Sequence, residues 1–367
     1  MLSLMEIFRE VRDPRDPNAQ HDLGALLFLA LAATLCGAKS CVQIAEFAEA
    51  RADTLREIID LPHGVPSHDT FSRVFRLLDP KELERAFAAC MARVRQELGH
   101  ATPAGVVAVD GKSLRRGYDT GRAHLPPLMV SVWDTQTRLT LAQARAPGGN
   151  EVAATLELLR GLVLKGCTVT ADALHCHPRM AEAVLGAKAH YALELKGNHG
   201  PLHAAAEQAF AQAGTVVASY TCEERGHGRS EWRQASVIPA TSLARPAALP
   251  GLKAVGRVVC RRTGASGTTG EEVHYVALSR RLTPAKMLEI KRAHWSIENH
   301  LHWTLDVLFH EDDARTRKDH APENLAVIRR LAQNILRAHP LDRSMSLKMF
   351  RAMISQEFFF ELFAYMR

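Results

Sequence analysis

Asp110, Asp172 and Glu298 stand where acidic side chains could hold a hard divalent cation. Asp110 follows the run Val106-Val107-Ala108-Val109 and Asp172 follows Thr168-Val169-Thr170-Ala171, so each emerges at the carboxyl end of an expected strand, where α/β sheets build their ligand sites. Two anions meeting in a partly desolvated place repel one another, and one is pushed toward its neutral form unless a cation neutralises the pair. A donor set of carboxylates with little His or Cys points to Mg2+, with Mn2+ as a substitute, rather than Zn2+. Two such ions about 4 Å apart can stabilise the attacking and leaving oxygens of a phosphoryl transfer.

The third acid is expected on one helix from about Lys291 to Leu308. Ile297, Leu301, Leu305 and Leu308 form an apolar stripe, and Lys291, His294, Glu298 and His302 fall on an adjoining one at i, i+3, i+7 and i+11. Glu298 is thus expected at the edge of the core, with Lys291, His294 and His302 ranked along the same face toward a phosphate backbone. Asp306, Glu311, Asp312 and Asp313 are rivals for the third place. Any one of these acids alone reads as a turn or solvated residue; the weight lies in three together on one strand order.

Short apolar runs at Val106 to Val109, Leu128 to Trp133, Leu139 to Ala144, Thr168 to Ala171 and Tyr191 to Leu195 read as strands, with helices at Asn150 to Leu164 and Pro178 to Leu185. The order β-β-β-α-β-α-β predicts a mixed five-stranded sheet of the α/β class, flanked by helices, in which the first and fourth strands lie parallel and adjacent. Before it, residues 1–100 form a helical module. There Ser67 caps a short helix whose Phe71, Val74 and Phe75 face inward while His68, Ser72 and Arg76 face out, with Arg73 beside them. Such a helix fits a major groove; one more bundle helix with a solvated side is the bland alternative. The catalytic domain is expected over 101–200 and 284–335, interrupted by a Gly-rich, largely β insertion at 201–283 that includes Thr263 to Gly270. A helical tail, 336–367, docks on the catalytic domain or joins two subunits as a homodimer; the pattern leaves both open.

The bulk composition bounds the rest. A chain of 367 residues, 47% hydrophobic, can bury a full core. The net charge of +6 and pI near 9.0 favour a polyanionic partner without naming one. Seven cysteines without C-x-x-C spacing support neither a zinc ribbon nor a disulfide framework, which fits a reducing cytoplasm. Glu6, Arg9, Glu10 and Arg12 break up any secretory signal. The longest apolar run, Gly24 to Ala38, spans about 15 residues, short of the roughly 20 that cross a bilayer, and reads as a buried helix.

Other motifs carry less. Gly111-Lys112-Ser113 lacks the glycine a phosphate-binding loop needs five residues earlier, where Val106 stands. Lys112 and Arg115 are read instead as phosphate contacts or solvated turn residues. His175-Cys176-His177 cannot wrap one ion with adjacent side chains and reads as packing. In Arg225-Gly226-His227-Gly228-Arg229-Ser230-Glu231-Trp232-Arg233, alternation would put Arg225, Arg229 and Arg233 on one strand face, either a basic ribbon for nucleic acid or a charge-protected edge.

Several of these segments together resemble a known family. Val109-Asp110-Gly111-Lys112, Asp172-Ala173-Leu174-His175-Cys176, Leu195-Lys196-Gly197-Asn198, His294 to Trp303, Leu305-Asp306-Val307 and Glu311 to Arg315 are similar to the ISAs-type, or H-repeat-associated, insertion-sequence transposases. Asp13-Pro14-Arg15, His21 and Pro66 to Phe71 resemble that family's N-terminal associated domain. The resemblance implies an RNase H-like fold with a DDE triad, carried here to Asp110, Asp172 and Glu298. It also implies two Mg2+ ions, double-stranded DNA as partner, and cleavage at element ends followed by strand transfer in a nucleoid-associated, cytoplasmic setting. Related transposases carry Tyr-x-x-Arg-x-x-x-Glu and a later Lys; here the acid matches, while Lys291, His294 and Leu305 stand in the companion places. Two rival readings remain: a DNA-binding relic without catalysis, and a nuclease of the same fold without strand transfer.

Overall fold

Aliphatic and β-branched residues fill both faces of Val106–Ser113 (β1), Leu128–Asp134 (β2), Leu139–Arg145 (β3), Thr168–Ala171 (β4) and His190–Leu195 (β5), as strands covered on two sides require. The structure is a computed structural model that describes residues 4–99, 103, 105–117, 126–214, 217–226, 229–243, 249–264 and 269–364. In it β1 pairs antiparallel with β2 and parallel with β4, β2 pairs antiparallel with β3, and β4 pairs parallel with β5. The first and fourth strands are therefore neighbours, and the fold is the mixed α/β class expected.

The sheet does not end at five strands. The free edge of β5 takes up Thr269–Leu278 (β9) antiparallel, and beyond it lie Ala254–Thr263 (β8), Arg229–Pro239 (β7) and Ser219–Gly226 (β6) in one nine-stranded sheet. An unpaired edge would leave a row of backbone donors and acceptors unsatisfied, and the antiparallel meander after β5 satisfies them. The expected insertion thus extends the central sheet. It also holds a helix, Gly200–Ala213, that the alternating pattern did not suggest; Pro201 at its first turn and an Ala-rich body explain it. Of Thr263 to Gly270, residues 265–268 lie outside the described residues.

Helices Glu151–Arg160, Pro178–Gly186 and Gly200–Ala213 cover one sheet face around Val107, Val109, Val169 and Leu193. On the other face Ala108, Trp133 and Leu139 join a core built from helix Ala321–Ala338 and the N-terminal helices. Helix Leu23–Leu35 is buried along its whole length, which accounts for its apolar run. Among the described residues no helix is long and apolar enough to cross a membrane. The tail helices Met345–Ile354 and Gln356–Ala364 pack on the N-terminal helices, where Phe363 meets Phe28 at 5.0 Å and Arg51 donates to the Met353 carbonyl. Each buried phenylalanine there contributes about 2 kcal/mol.

Candidate active site

The β1–β4 register pairs Val106 with Thr168 and Ala108 with Thr170, so the same register carried two residues further brings Asp110 level with Asp172. Side chains alternate along a strand, and Ala108 and Asp110 share the face that looks toward the C-terminal helices. Asp110 is not the end of its strand, as the sequence suggested, because β1 continues to Ser113 against β2. Asp172 lies just past β4, where its side chain accepts the Leu174 N–H at 3.0 Å and fixes the turn that follows.

Burial, then repulsion from Glu151, Glu298 and Asp172, push the Asp110 carboxyl up to about 7, with the Gly111 N–H at 3.0 Å opposing the shift. Burial also raises Asp172; His175 works against this and Glu151 adds to it. Glu298 is exposed and forms no hydrogen bond or ion pair among the described residues. Among those residues no three His, Cys, Asp or Glu side chains converge tightly enough, as they stand, to hold an ion. The donor set nevertheless fits a hard cation: it is all oxygen, mutually repelling at Asp110, and the exposed Glu298 side chain has no hydrogen bond or ion pair among the described residues.

The single helix expected from Lys291 to Leu308 is broken. Helix Pro284–His294 stops at Trp295, Ile297–His302 winds as a π-helix, and Trp303–Val307 resumes as α. Ile297, Leu301 and Leu305 are buried as expected, but the wider π-turn changes the phase of the polar stripe. Lys291 points inward, Nζ 3.2 Å from Glu194 Oε1. His294 is buried with Nδ1 3.1 Å from Thr170 Oγ1, and burial pushes its pKa down to about 4. His302 is largely buried, Nδ1 3.6 Å from Asp110 Oδ2, and burial lowers it to about 3, so it is neutral near pH 7. The expectation that these three line a phosphate backbone is corrected: two are internal partners of the sheet and one flanks Asp110.

Other expected contacts divide in the same way. Lys112 is buried between Asp306 and Asp312, with Nζ–O distances of 2.7 and 3.0 Å, so it is an internal tie and not a surface cation. Glu311 is held by fully buried Arg330 at 2.8 Å. Three of the rival acids are thereby committed to cations of the chain itself. Arg233 is buried between Glu224 and Glu231. Arg225 belongs to β6 and Arg233 to β7, since one strand ends at Gly226 and the next begins at Arg229, so the basic ribbon on a single strand is also corrected. His227, Gly228 and the side chain of Arg229 lie outside the described residues. His68, Arg73, Arg115 and Arg225 are exposed, and Arg76 pairs with Asp319 at 2.7 Å.

Sequence reasoning passed over Glu151. It opens the helix after β3 behind the Asn150 cap, and its Oε1 lies 3.1 Å from His175 Nε2. The available signal was Gly148-Gly149-Asn150-Glu151, a capped helix start delivered by a strand end to the same sheet edge.

An acid on a central strand, another just past its parallel neighbour and a third on a late helical segment are placed on a mixed α/β sheet, and the family comparison names the class. The model described as Transposase DDE domain matches residues 101–335, and that described as DDE_Tnp_1-associated matches residues 5–91. "Putative protein YbfL" of Escherichia coli (strain K12) is 33% identical over 343 residues, covering 91% of this chain and 90% of that protein. "H repeat-associated putative transposase YhhI" of the same strain is 32% identical over 343 residues, with the same coverage. A piggyBac transposase synaptic complex with hairpin DNA aligns over 99% of this chain and 79% of that one, but a TM-score of 0.46 and 12% identity make the likeness too distant to bear on the site. The chain is a DNA transposase that belongs to the DDE family, in its ISAs-type, H-repeat-associated group. Members of that family generally work with divalent metal ions.

Proposed function

We propose that this chain cuts double-stranded DNA at the ends of an insertion sequence and joins the freed ends to target DNA, with Asp110, Asp172 and Glu298 holding two Mg2+ ions, or Mn2+ in their place. The observation that carries the reading is Asp110 itself, a carboxyl pushed to about 7 inside a ring of other acids. Such crowding is costly in a protein without a counter-charge. When bound, the ions offset the charge that develops on phosphate oxygens and lower the barrier by several kcal/mol. Water attacks the end phosphate and the P–O3′ bond breaks, leaving a 3′-hydroxyl on the element; that hydroxyl then attacks a target phosphodiester and displaces its 3′-oxygen.

DNA contact falls to the exposed cations. Helix His68–Leu77 presents His68 and Arg73 to solvent on a core of Phe71, Val74 and Phe75. Arg73 also lines a polar groove of about 350 Å³ with Arg15, His21 and Thr70, suited to a backbone phosphate. Arg115 and Arg225 extend the exposed positive surface, and the site of action is the nucleoid.

The test is to incubate the purified protein with DNA carrying its flanking genomic sequence and Mn2+, and to map the ends formed. Nicks at element ends together with joined products support the reading. Cleavage without joining reduces it to a nuclease, and retention on DNA without new ends reduces it to a binding relic.

A further inference from the structure

Glu151 lies over β1 one residue past Asp110, and the DDE triad does not account for it. We propose that Glu151 is a fourth metal-holding residue of this site, oriented by the buried His175; the proposal rests on the reading of Asp110, Asp172 and Glu298 as the other three.

The first observation is a cradle. A Cβ placed on Gly111 would stand 2.8 Å from the Glu151 carboxyl carbon and 2.9 and 3.0 Å from its two oxygens. Gly111 has no positive φ that would demand glycine. The Glu151 carboxylate fills the space a side chain would take: it lies over the strand one residue past Asp110, and a Cβ there would make it shift. Gly111 faces the layer of helix Glu151–Arg160 and Asp110 the opposite layer, so Glu151 approaches the strand next to Asp110 from the other side, over a glycine.

The second observation is a fixed orientation. His175 is wholly buried, and its Nε2 lies 3.1 Å from Glu151 Oε1 and 4.0 Å from Asp172 Oδ1. The imidazole nitrogen that meets Glu151 also faces Asp172, at a distance too long for a hydrogen bond. Glu151 Oε2 makes no hydrogen bond among the described residues. Histidine–carboxylate contacts of this kind hold ligand side chains in place around metal sites.

The test uses the full chain and Mn2+ as probe, with affinity read by calorimetry and melting temperature read in EDTA and in Mn2+. Glu151→Gln keeps the shape and the hydrogen bond to His175. It is expected to weaken Mn2+ binding at least about tenfold, to shrink the Mn2+-induced rise in melting temperature, and to leave the EDTA melting temperature unchanged or higher. Gly111→Ala, which displaces the carboxylate by steric contact, is expected to weaken Mn2+ in the same direction. His175→Ala should weaken it less than Glu151→Gln and add nothing in the double variant. Wild-type Mn2+ affinity in Glu151→Gln with a lowered EDTA melting temperature would overturn the proposal and leave Glu151 as a structural partner of His175. Asp110→Asn separates the two levels: if it abolishes binding while Glu151→Gln does not, only the fourth ligand is lost. If both variants bind Mn2+ as wild type does, the triad reading fails as well.

Discussion

Lys112 Nζ sits 2.7 Å from Asp306 Oδ1 and ties β1, just past Asp110, to the helical segment just past Glu298. Asp312 closes on the same ammonium at 3.0 Å, and exposed Arg115 reaches Asp312 from outside at 3.2 Å. Segments 101–200 and 284–335, separated in sequence by four strands, are thereby joined near Asp110 and Glu298. Lys112→Met is expected to cost about 1–3 kcal/mol in chemical denaturation, because two partly buried carboxylates lose their cation, and to slow cleavage by disturbing Glu298. If Lys112 bound DNA instead, the salt dependence of DNA affinity would lose about one unit of slope. It should be unchanged in this variant and reduced in Arg115→Ala, so filter binding over a salt series distinguishes the two roles.

Glu298→Ala should separate chemistry from stability. The side chain is exposed and unpaired among the described residues, so its removal should shift the unfolding free energy by no more than about 0.5 kcal/mol. The rate of end cleavage is expected to fall by about three orders of magnitude, the scale of a lost transition-state contribution of several kcal/mol. Single-turnover cleavage and a thermal melt on the same sample check both halves. Wild-type cleavage by this variant would remove Glu298 from the site.

The sequence carried the parts of this arrangement that depend on local pattern. Short apolar strand runs, the capped helix at Ser67 and the parallel neighbours β1 and β4 were all legible, because short-range burial and connection rules determine them. The stripe through Lys291, His294 and His302 was misread on two counts: Lys291 and His294 lie on the buried face of helix Pro284–His294, and past Trp295 and Ser296 the period of 3.6 no longer holds. There the Trp133 indole N–H donates to Ser296 Oγ at 3.2 Å and the chain switches to a π-turn. The basic residues were misread because the partners of Lys112, Lys291 and Arg233 are acids that long-range pairing or a hairpin brings to them. Glu151 was missed because its neighbour Gly111 reads as a turn residue until the sheet shows what lies above it.

Arg330 and Glu311 form a fully buried pair, with Nη1–Oε1 at 2.8 Å and Nη2–Oε2 at 3.3 Å; the guanidinium also reaches Ser131 Oγ at 3.3 Å. Ser131 is the β2 partner of Asp110, so the pair braces the strand that backs the site. Removing one member leaves a buried charge without compensation, which costs about 3–5 kcal/mol. Glu311→Ala is expected to show that loss in urea denaturation, whereas the double change of Glu311→Leu with Arg330→Met should recover most of it. A single variant as stable as the wild type would mean that Arg330 finds another anion.

Glu84, half-buried on helix Pro80–Glu97, accepts the Arg145 N–H at 3.2 Å near the end of β3. Burial pushes its carboxyl up to about 7 from an ordinary 4.5, repulsion from Glu323 and Glu157 adds to the shift, and the Arg145 N–H and Lys81 oppose it. A carboxyl whose folded pKa exceeds its unfolded value favours folding while protonated, so the contribution is complete below about 4.5 and is lost as pH rises through 7. The wild type should therefore lose about 1–3 kcal/mol between those limits through this group alone. Glu84→Gln keeps an acceptor for the Arg145 N–H and does not ionise. Its unfolding free energy should match the wild type near pH 4.5 and exceed it at pH 8. Parallel curves for the two proteins across that range would show that Glu84 titrates alike in the folded and unfolded chain.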